Sequence, residues 1–141
     1  MSLSTLTDTQ LQENLALLDG WEERYAYLIE LGRQLPPMPD ALKTEGALVK
    51  GCTSQVWLVP QASVEDVLRF WADSDAHIVK GLIAILFILF NDQKRDKVLE
   101  FDIEQYFLQL GMSEHLTPNR RNGFFAMVER LKAIAGTTGR V

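Results

Sequence analysis

Cysteine is nearly absent from this chain of 141 residues, since Cys52 is the only one. A single thiol cannot form a disulfide within the chain, and it cannot supply the several thiolates of a structural zinc site or an iron–sulfur cluster. A thioredoxin-type cycle is excluded as well, because it needs two cysteines in a C-x-x-C pair. Scarce cysteine is typical of proteins from a reducing cytosol, and we therefore expect a cytoplasmic protein.

Long hydrophobic runs are also missing, and we expect no signal peptide. The longest apolar run, Leu82–Phe90 (LIAILFILF), has nine residues, whereas a membrane-spanning helix needs about 20. The first residues, MSLSTLTDTQ, contain neither the basic nor the apolar region of a signal peptide. We expect no association with a membrane, and we interpret the apolar run as a buried helix.

A strongly basic surface is not expected either, because the formal net charge is −5. This acidity argues against nucleic acid as the main partner. Basic residues do gather near the end of the chain, and the simplest interpretation of that cluster is a solvated helix face. With 47% hydrophobic residues, the chain can form one core, and we expect a single domain over residues 1–141.

The spacing of apolar residues predicts six helical segments. Thr7 and Gln10 match a capping box at the start of the first helix, which stops at Gly20. The second helix covers about Trp21 to Leu35, where a proline-rich segment ends it.

The later helices include the one that we expect to be central. It covers about 75–91, is apolar on nearly every side, and has Ser74 in position to cap its start. Two shorter helices follow, at about 95–100 and 103–110. The last helix begins with Thr117 as its N-cap and Pro118 in its first turn, and it ends near Ala135 with Gly136 as its stop.

Three short strands complete the predicted fold. In the segment SQVWLV, Val56 and Leu58 point to one side, which is typical of a half-buried strand. The segment Val64–Trp71 fits either a helix or a strand, and a strand from about Val67 is favoured because it could form a hairpin with the preceding one. With a short strand at Ala47–Val49, this gives an α+β fold, with a small antiparallel sheet of about three strands packed against a cluster of helices.

The position of Cys52 leaves two interpretations open. Free cysteines are most often small buried hydrophobes. However, the neighbours of Cys52 are Lys50, Gly51, Thr53 and Ser54, which is a polar, glycine-containing segment typical of a loop. A reactive thiol there has no second cysteine to resolve an adduct, so any group it accepts must leave to another molecule. That chemistry suits a covalent carrier.

A cysteine protease would be a different use of the same thiol. It needs a general base, and His77 and His115 are the only histidines. Neither lies in a protease-like sequence neighbourhood, and both are interpreted more simply as surface or capping residues.

Several blocks of the sequence together resemble the SufE family of sulfur-acceptor proteins. They occur in the family order, and they cover the chain from about residue 21 to residue 135. The blocks are WEERYAYLIELGRQLP (21–36), GCTSQVW (51–57), SDAHIVKGLIA (74–84) and HLTPNRRNG (115–123).

The resemblance implies a function and a set of partners. SufE-like proteins work with a pyridoxal-phosphate cysteine desulfurase of the SufS or CsdA kind, and they stimulate it. They take persulfide sulfur onto one cysteine and pass it to an iron–sulfur scaffold complex of the Suf type. By match to GC-x-S-x-VW, that cysteine is Cys52. The pyridoxal phosphate belongs to the partner, so no cofactor is expected in this chain.

The resemblance also implies supporting residues around Cys52. Gly51 would allow the loop to swing out on docking, and Arg120 would contact the loop or favour the thiolate. Asp75 would lie near the loop and the docking face. Ser54 belongs to the loop, and Gln55 would form a hydrogen bond within the loop region. Lys80 is either a surface residue, with its charge in water, or a further contact of the loop.

Other functions remain as alternatives at this point. The protein could activate the desulfurase by non-covalent docking alone, or Cys52 could be a thiol redox sensor. The related fold of IscU-type scaffolds is disfavoured as a function, because those proteins carry three cysteines. The blocks resemble the Suf branch more than the Csd branch, and the sequence leaves open whether the free protein forms a homodimer.

Overall fold

The computed structural model describes residues 3–52, 54–63 and 66–137, and this part of the chain contains six α-helices. Three 3-10 turns lie at Leu3–Thr5, Asp40–Leu42 and Glu45–Ala47. The helices are α1 (Asp8–Ala16), α2 (Gly20–Arg33), α3 (His77–Phe90), α4 (Arg95–Glu100), α5 (Ile103–Gln109) and α6 (Pro118–Thr137). The strands are β1 (Val56–Pro60), β2 (Val67–Leu68), β3 (Phe70–Ser74) and β4 (Gln93–Lys94).

The predicted α+β class is confirmed. Where the sequence predicted one sheet of about three strands, the described strands form two antiparallel pairs. β1 pairs with β3, and β2 pairs with β4, both antiparallel. The ambiguous segment is therefore extended where the structure describes it. Its two strands join different partners, because Asp92 donates its N–H to Leu68 O (2.7 Å) and draws β2 towards β4. The short strand expected at Ala47–Val49 is reduced to a bridge between Leu48 and Trp57.

Helix α3 is the centre of the core, as its composition predicted. Its residues are buried from Ile78 to Phe90 with few exceptions, and it packs against α2, β3 and α6. At the crossing with α2, Gly81 lies directly against the backbone of Leu28. A helix without a polar face can be stable in water only when other elements surround it.

The start of α3 differs from the prediction. The helix begins at His77 with Ala76 as its N-cap, and Ser74 is the last residue of β3, opposite Val56. The Ser74 hydroxyl donates to Gln55 O (2.7 Å) and accepts from Ala76 N (3.2 Å). Ser74 therefore stabilises the strand end and the turn, because pairing with β1 holds its backbone extended.

Helix α6 begins as predicted, with the N–H of Arg120 donating to Thr117 Oγ1 (3.3 Å). It does not stop at Gly136 but continues to Thr137. Gly136 does not take the positive φ angle of a helix-ending glycine; the glycines that do are Gly20, Gly51 and Gly111.

The basic residues of α6 do not form the solvated face that the sequence indicated. Arg121 donates to Ser113 O (3.1 Å), and Lys132 donates to Phe101 O (2.8 Å). Arg130 donates to Gly46 O (3.3 Å) and Leu48 O (3.4 Å). These cations thus attach neighbouring loops to α6 through the loop carbonyls. Among the described helices, none has the length and apolar character needed to cross a membrane.

Candidate functional site

Cys52 lies in the short loop that connects the two paired segments of a hairpin. The Val49 N–H donates to Val56 O (2.8 Å), and the bridge between Leu48 and Trp57 follows it. Cys52 is therefore part of the connection formed by residues 50–55. Its neighbour Gly51 has a φ angle of 93°, a conformation that residues with a side chain rarely adopt. The thiol stands at the entry to a strand because it belongs to the turn that leads into β1.

The loop is attached to the body of the protein on both sides of Cys52. Before it, the Arg130 guanidinium binds the carbonyls of Gly46 and Leu48. After it, the Gln55 N–H donates to Asp75 Oδ1 (3.1 Å), and Gln55 O accepts from Ser74 Oγ and from Asp75 N (3.3 Å). Both ends of the Cys52 loop are therefore hydrogen-bonded to the body of the protein.

Between these attachments the segment lies along one face of α6. A Cβ atom placed on Gly51 would lie 3.6 Å from Ala126 Cβ, and one placed on Gly123 would lie 3.3 Å from Cys52 Sγ. Gly123, Ala126 and Arg130 are three and four residues apart, so they share a helix face. The segment runs antiparallel to α6, with Gly46 near Arg130 and Cys52 near Gly123.

The Cys52 thiol is half-buried and weakly hydrogen-bonded. Its Sγ atom lies 3.7 Å from Gly123 O, a distance at which the thiol donates weakly to the carbonyl. Burial raises the pKa of the Cys52 thiol above its ordinary value. At neutral pH the resting thiol is therefore protonated and a poor nucleophile, since the thiolate is the reactive form.

A cavity of about 290 Å³ opens beside Cys52 between β1, α3 and α6. Its apolar wall is buried, whereas Thr117 and Asn119 are exposed, so it changes from an apolar interior to a polar opening. The apolar lining residues are Val56, Val79, Leu82, Phe124 and Met127, and the others are Cys52, Ser54, Thr117, Asn119, Arg120 and Gly123. An apolar pocket of this size can shield a group attached to the thiol from water.

The structure brings most of the predicted supporting residues to this site. Ser54 and Arg120 line the cavity with Cys52. Asp75 and Gln55 attach the end of the loop, with Gln55 held through its backbone. Lys80 is placed elsewhere, because its ammonium group lies 3.5 Å from Asp73 Oδ1 on β3 and it does not line the cavity.

Sequence reasoning missed the contribution of α6 beyond Arg120. Gly123, Phe124 and Met127 line the cavity and follow Arg120 at the spacing of one helix face. A glycine inside a helical pattern was the available signal, because it is unfavourable there unless packing requires it.

The histidines do not accompany the thiol. The ring of His115 stacks on Trp21, with 4.9 Å between centroids, and neither histidine lines the described cavity. The arrangement therefore offers no support for a cysteine–histidine catalytic pair. Within the three described ranges, no three His, Cys, Asp or Glu side chains come together as ligands for a metal ion.

Known proteins include relatives of this chain in both sequence and fold. The family model SufE, described as an Fe-S metabolism associated domain, matches residues 9–135. An uncharacterized SufE-like protein of Rhizobium meliloti (strain 1021) is 43% identical over 129 residues, which cover 89% of this chain and 92% of that protein. The solution structure of a hypothetical protein from Thermus thermophilus has the same fold, with a TM-score of 0.74 at 24% identity, covering 92% of this chain and 93% of the other.

Proposed function

The chain belongs to the SufE family, which acts in iron–sulfur metabolism and sulfur transfer, and we propose that it carries sulfur as a persulfide on Cys52. The family implies a cysteine desulfurase as the partner. In our proposal this partner is a SufS-type enzyme, which keeps its own pyridoxal phosphate. The recipient is an iron–sulfur scaffold complex of the Suf type in the cytoplasm.

The observation that carries the proposal is the place of Cys52. The thiol lies in a short attached loop and borders an apolar cavity that is much larger than one sulfur atom. A persulfide is easily oxidised or reduced, and a carrier must protect it between the two transfers. A carrier must also expose the thiol to each partner. A loop at the surface with a shielded thiol allows both protection and exposure, since a small movement brings the thiol to a partner.

The transfer itself needs no oxidant or cofactor in this chain. The Cys52 thiolate attacks the outer sulfur of the desulfurase persulfide, and a new S–S bond forms on Cys52. The S–S bond in the desulfurase breaks, and its cysteine leaves as a thiolate that takes up the proton lost by Cys52. The same exchange in the next step passes the outer sulfur to the recipient.

The surroundings of Cys52 support this step. Its raised pKa keeps the resting thiol protonated, and movement out of the apolar environment would lower the pKa towards its ordinary value. Arg120 lines the same cavity and is the charged residue available there to favour the thiolate. A redox sensor needs the opposite environment, an accessible thiol with a low pKa, so the geometry favours the carrier.

Desulfurase turnover tests the proposal against activation by docking alone. Adding the wild-type protein to a SufS-type desulfurase and L-cysteine should raise the rate of alanine formation, because Cys52 removes sulfur from the enzyme. Cys52→Ser keeps the size of the side chain and should leave the rate at the level of the desulfurase alone. Calorimetric titration of the desulfurase with Cys52→Ser should still show binding. Equal stimulation by both proteins would contradict the carrier and support the docking activator.

A further inference from the structure

Gly123 lies inside a helix, and its backbone conformation does not require glycine. It lies in the second turn of α6, and it is not among the glycines with a positive φ angle. Glycine weakens a helix compared with alanine, because it loses more freedom on folding and leaves the backbone exposed. The absence of a side chain at this position therefore points to a need for space.

The Cys52 thiol occupies that space. A Cβ atom on Gly123 would lie 3.3 Å from Cys52 Sγ and 3.7 Å from both Cys52 Cα and Cys52 Cβ. The first distance is shorter than ordinary van der Waals contact between carbon and sulfur, so the thiol would have to move. The Gly123 carbonyl also accepts the hydrogen bond from the thiol at 3.7 Å.

We propose that Gly123 is a positioning residue, whose missing side chain lets the Cys52 thiol dock on α6 and thereby sets how much of the carrier has its thiol shielded. The biological meaning rests on the function proposed above, but the docking itself is a property of the free protein. The docked thiol is half-buried and protonated, so a reagent modifies it more slowly than a released thiol. The rate of its modification therefore reports the fraction of released molecules.

The surrounding structure indicates whether a side chain at position 123 would displace helix α6 or the Cys52 loop. Helix α6 is fixed by its packing on α3 and by the carbonyl contacts of Arg121, Arg130 and Lys132. The loop carries Gly51 next to Cys52, and glycine tolerates a change of backbone conformation. Alanine at position 123 should therefore displace the thiol and leave the helix in place.

The test compares two alanine substitutions in the same helix. Gly123→Ala inserts a methyl group against Cys52, whereas in Gly136→Ala the nearest atom to the new group is Leu99 Cδ2 at 3.9 Å, an ordinary contact. The free proteins, without desulfurase, are treated with iodoacetamide. The second-order rate constant for Cys52 should rise by about fivefold or more in Gly123→Ala, the effect of a modest loss of docking energy. Gly136→Ala should react like the wild type.

The pH dependence of the same reaction reports whether the thiol has left its apolar surroundings. Released thiol is better hydrated, so the midpoint of the rate profile in Gly123→Ala should move to lower pH than in the wild type. Two cations lie near Cys52, Arg120 in the lining of the cavity and Lys50 two residues before it in the chain, and neither is changed by the substitution. A general loosening of the protein would hydrate the thiol as well, so a measurement of stability is needed to tell the two apart.

Urea unfolding supplies a second measurement that does not depend on reactivity. In a Cys52→Ala background there is no sulfur atom to displace, so Gly123→Ala should raise the urea midpoint as Gly136→Ala does. With Cys52 present, Gly123→Ala should raise the urea midpoint by less than in the Cys52→Ala background, or should lower it. If Gly123→Ala alone did not fold, restoration of folding by Cys52→Ala would support the proposal, and failure to restore it would count against it.

Three results would overturn the inference. They are a wild-type alkylation rate in Gly123→Ala, equal acceleration in both alanine variants, and equal changes of urea midpoint with and without Cys52. None of these measurements involves persulfide or a desulfurase. The inference can therefore fail while sulfur transfer is intact, and it can hold if sulfur transfer is absent.

Discussion

Asp73 binds two lysines, and one of them is Lys80, which the sequence placed beside the Cys52 loop. Lys43 Nζ lies 2.9 Å from Asp73 Oδ2, and Lys80 Nζ lies 3.5 Å from Oδ1. Lys43 also lies over the ring of Trp57 on β1 (5.4 Å to the centroid). The three charges thus connect β3 with α3 and with the segment before β1, and Lys80 supports the strands that carry the loop.

This cluster should give the protein a stability that depends on pH. Burial alone would raise the pKa of Asp73, but the hydrogen bonds from Lys43 and the Ser74 N–H, with the charge of Lys80, together hold it below its ordinary value. A lowered carboxylate pKa contributes stability above the unfolded pKa of about 4, and the contribution disappears as the pH falls through the folded pKa. Asp73→Asn should lower the free energy of unfolding by about 1 kcal/mol near neutral pH, and the difference should vanish in strong acid.

A matched control for this prediction is Asp40→Asn. Asp40 also faces Lys43, at 3.6 Å, but its side chain is 98% exposed, compared with 16% for Asp73. The control should match the wild type in urea titrations at every pH, because solvent screens the pair. A stability difference for Asp73→Asn that stays constant from neutral to acid pH would show that the charge cluster is not its cause.

At the scale of single residues, the sequence predicted part of the site and missed the rest for a physical reason. Cys52, Gly51 and Arg120 were identifiable because they lie within recognisable blocks. A glycine inside a helical pattern signals a close contact, but the contact of Gly123 is with a residue 71 positions away, and the local pattern does not identify that residue. Lys80 was associated with the loop by its block, whereas the structure pairs it with Asp73.

At the scale of elements, helices α2 and α3 cross in close contact, with a glycine of each helix at the crossing. A Cβ atom on Gly81 would lie 2.4 Å from Leu28 O, and one on Gly32 would lie 2.8 Å from Gly81 N. These neighbours are backbone atoms within helices, so they cannot turn aside as a flexible side chain can. The two glycines therefore allow α2 to lie on the central helix.

Gly81→Ala should therefore be strongly destabilising. The methyl group would push the two helices apart, and overpacking of this kind costs about 2–3 kcal/mol in the free energy of unfolding. Gly136→Ala, a helix glycine in open surroundings, should instead stabilise the protein by about 0.5 kcal/mol or more. Urea unfolding of both variants measures the difference, and equal stability would mean that the helices do not approach as closely as described.

The elements also show which features local sequence can predict. The capping box of Thr7 and Gln10 is present as expected, because both hydrogen bonds lie within four residues. Ser74 met the local rule for an N-cap, but pairing of β3 with β1 keeps it in the strand. The division of the extended segment between two strand partners depends on Asn91 and Asp92, which arrive from the far end of α3. Pairing between distant elements overrode the local preference in both cases.

At the scale of the whole molecule, several elements of the fold meet at the Cys52 thiol. The central helix and α6 form the walls of the cavity, and β1 leads directly out of the Cys52 loop. Arg130 on one side and Asp75 on the other attach the two ends of the loop to the body of the protein. Under the function proposed above, such an arrangement would let the protein present sulfur to a partner without rearranging its core.

Intact-mass spectrometry tests the central claim most directly. The purified protein is incubated with L-cysteine and a catalytic amount of a SufS-type desulfurase, and its mass is measured before and after treatment with a thiol reductant. We predict a gain of about 32 Da, the mass of one sulfur atom, that the reductant removes and that Cys52→Ser never acquires. An unchanged mass for the wild-type protein, while the desulfurase itself carries a persulfide, would contradict the account.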